Sequence, residues 1–274
     1  MRFYISADIE GLAGVVSRAN LTPGGFEYEP ARDWMTNAVI AACETLSELG
    51  ASEVVVSDSH GNGQNIRFER MPAYVSLVRS WPRPLGMMQG VEVGHYEGVL
   101  LIGYHAGATN PGGTLAHTVS GEFLHEIRLN GAVVSEAGIS AAIAGHFGVP
   151  VLMVAGDDVA VAETKGLLGD IASASLKTSY GFMSAMNPSP QAADRLLRDA
   201  VRDAATLIGA AKPYVVEGPV DLDIRLRTRF VAEWLSYLQD VERRDAFTIR
   251  YPAKDIVAAS RFLQFLTSAR AVLA

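Results

Sequence analysis

Three short stretches limit the architectures open to this chain: Val54-Val55-Val56, Val99-Leu100-Leu101-Ile102 and Val151-Leu152-Met153-Val154. Each is an unbroken apolar run of strand length. A strand of that kind has no face to give to water, so it belongs in a sheet covered on both sides. Residues 2–8 add a strand in which Phe3, Ile5 and Ala7 alternate with Tyr4, Ser6 and Asp8. Helical patterns separate the runs. Residues 31–49 carry Met35, Ala38, Ala42, Leu46 and Leu49 at three- and four-residue spacing, and Gly50 closes them. Ser135-Glu136 opens a helix that reaches about His146. Strands interleaved with helices predict an α/β fold, a three-layer αβα arrangement around a mainly parallel sheet.

The last third reads differently. Met186-Asn187-Pro188-Ser189-Pro190 is a break, with Ser189 placed to cap a helix and Pro190 at its first position. That helix runs to about residue 208. Val220, Leu222, Ile224 and Leu226 alternate with Asp221, Asp223, Arg225 and Arg227, which predicts a strand with one solvated face. Helices at 229–238 and 255–272 flank a strand at 247–251. Earlier, Ile127 to Val134 reads as a hairpin around Asn130-Gly131. We therefore expect residues 1–185 to form the larger α/β domain and 186–274 a smaller α+β C-terminal lobe.

Composition narrows the function. A chain of 274 residues buries roughly 73% of its extended surface on folding, so neither a disulfide nor a metal is needed merely to hold it together. The net charge of −7 argues against a nucleic-acid partner, which requires a basic face. One cysteine, Cys43, excludes an intrachain disulfide and a Cys-based zinc site. The opening strand meets Asp8 and Glu10 at once, unlike a secretory signal. His146 and Pro150 interrupt the apolar stretch 138–156, which reads as core rather than as a membrane span. The expectation is a cytoplasmic protein with no membrane contact.

Several familiar motifs are missing. Gly61-Asn62-Gly63 lacks the third glycine of a dinucleotide loop, and there is no P-loop. His125-Glu126-Ile127-Arg128-Leu129 begins like a zincin helix but ends in leucine. Gly138-Ile139-Ser140-Ala141-Ala142 lacks the final glycine of a nucleophile elbow.

The polar residues of interest lie where the strands end, the place where open parallel sheets bind ligands. The first strand finishes in Asp8-Ile9-Glu10, the second in Ser57-Asp58-Ser59-His60, and the run 99–102 in Gly103-Tyr104-His105. Glu136 stands in the first turn of a helix, where the dipole favours a carboxylate. Singly, each is an ordinary turn or cap residue. Together they form a set of oxygen and nitrogen donors suited to Zn²⁺, Mn²⁺ or Co²⁺. Three carboxylates bring −3 against +4 for two divalent ions. His95, His125 and His146 do not converge with the others and read as structural or surface residues. Asp58 is a candidate to orient an imidazole, or a turn carboxylate.

The motif Asp8-Ile9-Glu10-Gly11-Leu12-Ala13-Gly14 resembles the D-x-E-G-[IL]-[AS]-G opening of the D-aminopeptidases associated with bacterial dipeptide-transport operons. Asp58-Ser59-His60, Gly103-Tyr104-His105-Ala106, Ala116-His117, Glu136-Ala137-Gly138 and the run from Val151 to Asp158 follow in the family's order. The likeness is close over about residues 1–160 and looser beyond. It implies a zinc-dependent, self-compartmentalising aminopeptidase with two zinc ions per subunit in a ring-stacked homodecamer, acting on short peptides. By that resemblance Asp8 bridges two metals, Glu10 and His105 complete one site, and His60 and Glu136 complete the other. His117 matches the catalytic histidine, and whether it is base, oxyanion donor or nucleophile stays open. So does D versus L preference. Asn37-Ala38 stand where the family carries acidic residues, and one extra residue lies between His117 and Glu136. The resemblance leaves the C-terminal lobe to shape access and subunit contacts. Alternatives are another binuclear metallohydrolase such as an amidase, or a non-catalytic peptide- or metabolite-binding protein. A phosphoesterase is disfavoured because the loops 8–14, 58–65 and 103–114 hold no Arg or Lys.

Overall fold

The computed structural model describes residues 1–273; Ala274, the last residue assigned to the C-terminal lobe, lies outside them. The apolar runs become β1 (Arg2–Ala7), β2 (Glu53–Asp58), β4 (Gly98–Tyr104) and β7 (Val151–Asp157), and β3 (Val75–Val78) lies beside β2. They form a sheet of order β3-β2-β1-β4-β7-β8-β9, completed by β8 (Ala172–Gly181) and β9 (Ser184–Met186). Every pairing in it is parallel except β8 with β9. The alternation in β1 sorts its side chains as the sequence predicts. Phe3, Ile5 and Ala7 pack with Met35 and Val39 of α1 (Tyr28–Glu48) and with Leu197 and Val201 of the helix at 190–205. Tyr4 enters the other core, with Val99, Leu101 and the small residues of α2 (Glu136–His146). Helices thus cover both faces, which is why the central strands tolerate no polar alternation.

The second sheet has the order β11-β12-β10-β5-β6. It joins the predicted hairpin, β5 (Leu124–Leu129) and β6 (Ala132–Val133), to β10 (Val220–Leu226), β12 (Thr248–Ala253) and the short β11 (Glu242–Arg243). Strands from both sides of residue 185 therefore enter it. The remaining helices are α3 (Asp158–Leu168), α4 (Pro190–Ala205), α5 (Arg229–Leu235) and α6 (Ile256–Leu273). Ser189 caps α4 by accepting from Ala192 N, with Pro190 inside its first turn. The polar face of β10 is solvated and ion-paired, because Arg250 reaches Asp221 at 2.6 Å and Asp223 at 2.7 Å.

Boundaries differ from the sequence reading in explicable ways. α1 starts three residues early because Pro30 suits a first helical turn. α4 and α5 stop at 205 and 235, short of 208 and 238. β3, β8 and β9 were not expected. β3 has only four residues, and β8 mixes serine, threonine and lysine along its length, which hides its period.

Chain order places β1 between β2 and β4, so successive connections leave β1 in opposite directions and open a crevice at its carboxyl end. Gly103 makes that crevice possible. Its φ is +74°, it interrupts the register between β4 and β7, and a Cβ there would meet the carbonyl oxygen of Asp8 at 2.1 Å. Gly148 also has φ +74°, but a Cβ there meets nothing within 4 Å. Gly148→Ala should therefore cost about 1 kcal/mol of strain alone, whereas Gly103→Ala should cost at least about 2 kcal/mol more, because β1 must move. Urea denaturation of the two variants measures the difference, and equal midpoints would show that the strand ends are not held this closely.

Candidate metal centre

Short backbone bonds hold the strand ends together: Asp8 N donates to Ile102 O at 2.8 Å, Ser59 N to Ala7 O at 2.8 Å, and Gly11 N to Gly103 O at 2.7 Å. Asp8, Glu10, His60, His105 and Glu136 are thereby brought into one buried cluster, each 7% exposed or less. His60 Nδ1 lies 3.1 Å from Asp8 Oδ1 and 3.0 Å from Glu10 Oε2. His105 Nε2 lies 3.3 Å from Glu136 Oε1 and 3.6 Å from Asp8 Oδ2. Asp8 stands between the two groups, one oxygen toward each histidine. Around it, His60 lies beside Glu10, while His105 lies beside Glu136 and, with His117, also near Glu10.

His117 joins the same cluster. Its ring stacks on His105 at 4.0 Å between centroids, and its Nε2 lies 3.8 Å from Glu136 Oε1 and 4.0 Å from Glu10 Oε1. All three imidazoles share one arrangement. One ring nitrogen faces the carboxylates while the other meets a backbone carbonyl: Leu21 O for His60, Ala106 O for His105 and Leu115 O for His117. A carbonyl acceptor fixes the tautomer and presents the opposite nitrogen as a bare donor, the usual support of a metal-binding histidine. His105 Nε2, buried, has no hydrogen-bond partner among the described residues. An orphaned ring nitrogen between two carboxylates is a fitting place for a cation.

The electrostatics agree. Burial, then the charge of Glu10, pushes the Asp8 carboxyl up to about 8. Burial also opposes ionisation of Glu10, but His60 overrides it and holds Glu10 well below the usual carboxylate range. Burial disfavours a charged His105, yet Glu136 and its neighbours raise that ring to about 10. His117 moves the other way, lowered by burial and by the charge of His105. Asp8 is left with a proton where a cation would serve instead.

Other residues support the cluster, and of these the sequence marks only Asp58. Asp58 turns out to organise a turn: its carboxylate accepts from Asn65 Nδ2 and from the amides of Asn65 and Ile66. It reaches His60 only through Asn65, whose Nδ2 also donates to His60 O at 2.7 Å. Arg83, buried, donates to Ser57 Oγ at 2.8 Å and Asp58 O at 2.9 Å. Lys177 of β8, also buried, donates to the carbonyls of Glu10, Leu12 and Val15 and so grips the loop that presents Glu10. Only the structure reveals it, because β8 itself escaped the sequence reading. His95, His125 and His146 take no part in the cluster.

A buried carboxylate–imidazole cluster at the switch point of a parallel sheet defines a metal-dependent hydrolase of the α/β class. Comparison with known proteins sharpens this. The profile of the family described as D-aminopeptidase (Peptidase_M55) matches residues 1–265, and the chain belongs to that family. The D-aminopeptidase of Bacillus subtilis (strain 168) is 30% identical over 268 residues, 97% of each chain. Among solved structures, the Zn-dependent D-aminopeptidase DppA from Bacillus subtilis, a self-compartmentalizing protease, superposes with a TM-score of 0.93 at 29% identity, covering 98% of this chain and 97% of that one.

Lys177→Met should free the 10–15 loop and weaken zinc binding by roughly 10- to 100-fold, the usual effect of removing a group that supports a metal ligand. Competition with a chromophoric chelator reads the change; wild-type affinity would mean that the strand end alone positions Glu10.

Proposed function

We propose that this protein is a zinc-dependent aminopeptidase that releases the amino-terminal residue, D-configured by family, from short peptides. The observation that carries the reading is His105 Nε2, buried between the carboxylates of Asp8 and Glu136 and without a hydrogen bond. Asp8, Glu10, His60, His105 and Glu136 would hold two zinc ions, with Asp8 common to both. The donor set fits, since carboxylate and imidazole together suit Zn²⁺ and leave Mn²⁺ and Co²⁺ as substitutes. When bound, such a pair lowers the pKa of water and polarises a carbonyl.

The chain's own residues do the rest. Leu115 O accepts from His117 Nδ1 and leaves Nε2 facing the cluster, unprotonated at neutral pH because its affinity for a proton is lowered. From there Nε2 takes a proton from the attacking water and returns it to the departing amine. His117 is also the most exposed of the three imidazoles, at 23%, so it borders the side from which substrate enters. Lys177 holds the loop that follows β1, and Arg83 and Asp58 hold the one that follows β2. The self-compartmentalizing relative supports assembly of this chain into a homo-oligomer, a decamer by the sequence resemblance. Among the described residues no helix is long and apolar enough to cross a membrane, in keeping with a cytoplasmic enzyme. Family membership favours this reading over the amidase and the non-catalytic binder.

His117→Ala should lower kcat by roughly 10²–10⁴-fold while bound zinc, counted by atomic absorption, stays at the wild-type level; joint loss of zinc and activity would make His117 a ligand. Stripping zinc with a chelator should lower the thermal midpoint, because a ligand bound only by the folded state stabilises it. An unchanged midpoint after verified metal loss would remove cations from this account.

A further inference from the structure

A cavity of about 380 Å³ adjoins the metal centre, at the small end of the roughly 300–1,000 Å³ range of small-molecule sites. Glu136 and Ser59 line it next to the cluster, Ile139 and Ile143 of α2 add apolar surface, and Leu263 and Gln264 bring in α6. Apart from Glu136 no ionisable side chain among the described residues lines it. The charge of Glu136 is already engaged, because Oε1 accepts from Val119 N at 2.6 Å and faces His105.

We infer that this cavity receives the side chain of the residue being released and selects neutral, apolar side chains over charged ones. The inference rests on the aminopeptidase reading above. In a peptide held for that reaction, the free amine and the scissile carbonyl must both lie at the carboxylate–imidazole cluster. The first side chain branches from the carbon between them, so it needs a recess that opens directly beside a cluster residue. Glu136 belongs to both cluster and cavity. The departing peptide varies in length, whereas a cavity this small suits a group of bounded size. His117 does not line the cavity, which leaves the exposed flank of the cluster to the rest of the substrate. A charged first side chain would shed its water here with no opposite charge to meet it, and Ile139, Ile143 and Leu263 reward an apolar one.

The test is kcat/KM of the zinc-loaded enzyme on peptides beginning with Gly, D-Leu, D-Asp or D-Lys, each followed by glycine, and on a second series in which only the following residue varies. D-Leu should exceed Gly by about tenfold or more, and D-Asp and D-Lys should fall on the order of a hundredfold below D-Leu. Ile139→Trp should lower the D-Leu to Gly ratio about tenfold by filling the recess. Gln264→Glu should raise the D-Lys to D-Leu ratio by a similar factor. A purely structural defect would depress all substrates together and move neither ratio. The inference is overturned if both ratios stay fixed in both variants, or if the variants change preference only for the following residue. No turnover of any free-amine peptide by zinc-loaded wild type would overturn the aminopeptidase reading itself.

Discussion

Asp8, Glu10 and Glu136 cannot all be ionised side by side in a buried pocket unless positive charge lies among them. The rest of the structure answers that constraint. Without a cation the protein resorts to a proton on Asp8 and to charged imidazoles at His60 and His105. Yet each of those rings already gives one nitrogen to a backbone carbonyl, and His105 has no hydrogen bond left for its other nitrogen. Such a site is poorly satisfied by its own atoms and well satisfied by divalent ions, which bring charge and accept donors without asking for protons. Three carbonyls oriented toward three imidazoles are hard to explain as incidental packing.

The scaffold reaches this density of charge by letting strands approach closely. A Cβ on Gly11 would stand 2.0 Å from Tyr104 O, and one on Gly156 2.1 Å from the same atom. Removing side chains from the backbone at these points brings the ends of β1, β4 and β7 together, so that residues nearly a hundred positions apart share one pocket. Below it, Ser6, Ser59, Tyr104 and Ser140 form a chain of hydroxyls with spacings of 2.8 to 3.0 Å. The floor of the site is therefore polar but hydrogen-bonded, and holds the ligand loops without adding charge.

How far the sequence foretells this depends on what carries the signal. The parallel sheet was legible because Val54–Val56, Val99–Ile102 and Val151–Val154 admit no solvated face. Four of the five ligand candidates were legible because strand ends collect Asp, Glu and His at recognisable intervals, and Glu136 because it opens a helix. The stacking of His117 on His105 was not, since it depends on which loops face each other across the crevice. Nor was Lys177: a lysine between Leu176 and Thr178 looks like an ordinary solvated residue until β8 is seen to run beneath the loop after β1. Asp58 was legible only as one of two alternatives, and the turn role is the one it takes, because its carboxylate serves Asn65 and Ile66.

The centre also joins parts of the molecule that are built separately. Asp8, Glu10, His60 and His105 leave strands of the parallel sheet, whereas Glu136 follows β6 of the second sheet and begins α2, which in turn packs on α6. The same helix thus carries Glu136 of the cluster at its first residue and, one and two turns on, Ile139 and Ile143 of the adjoining cavity. Ligand and recess are rigidly linked, because both stand on one α-helix. A shift of α2 large enough to reshape the cavity would also move Glu136 away from His105, and cations between them would resist it. Cations bound in this arrangement would stiffen the wall of the cavity in which we infer a substrate side chain sits, so one charge constraint would govern both the chemistry and the shape that selects its substrate.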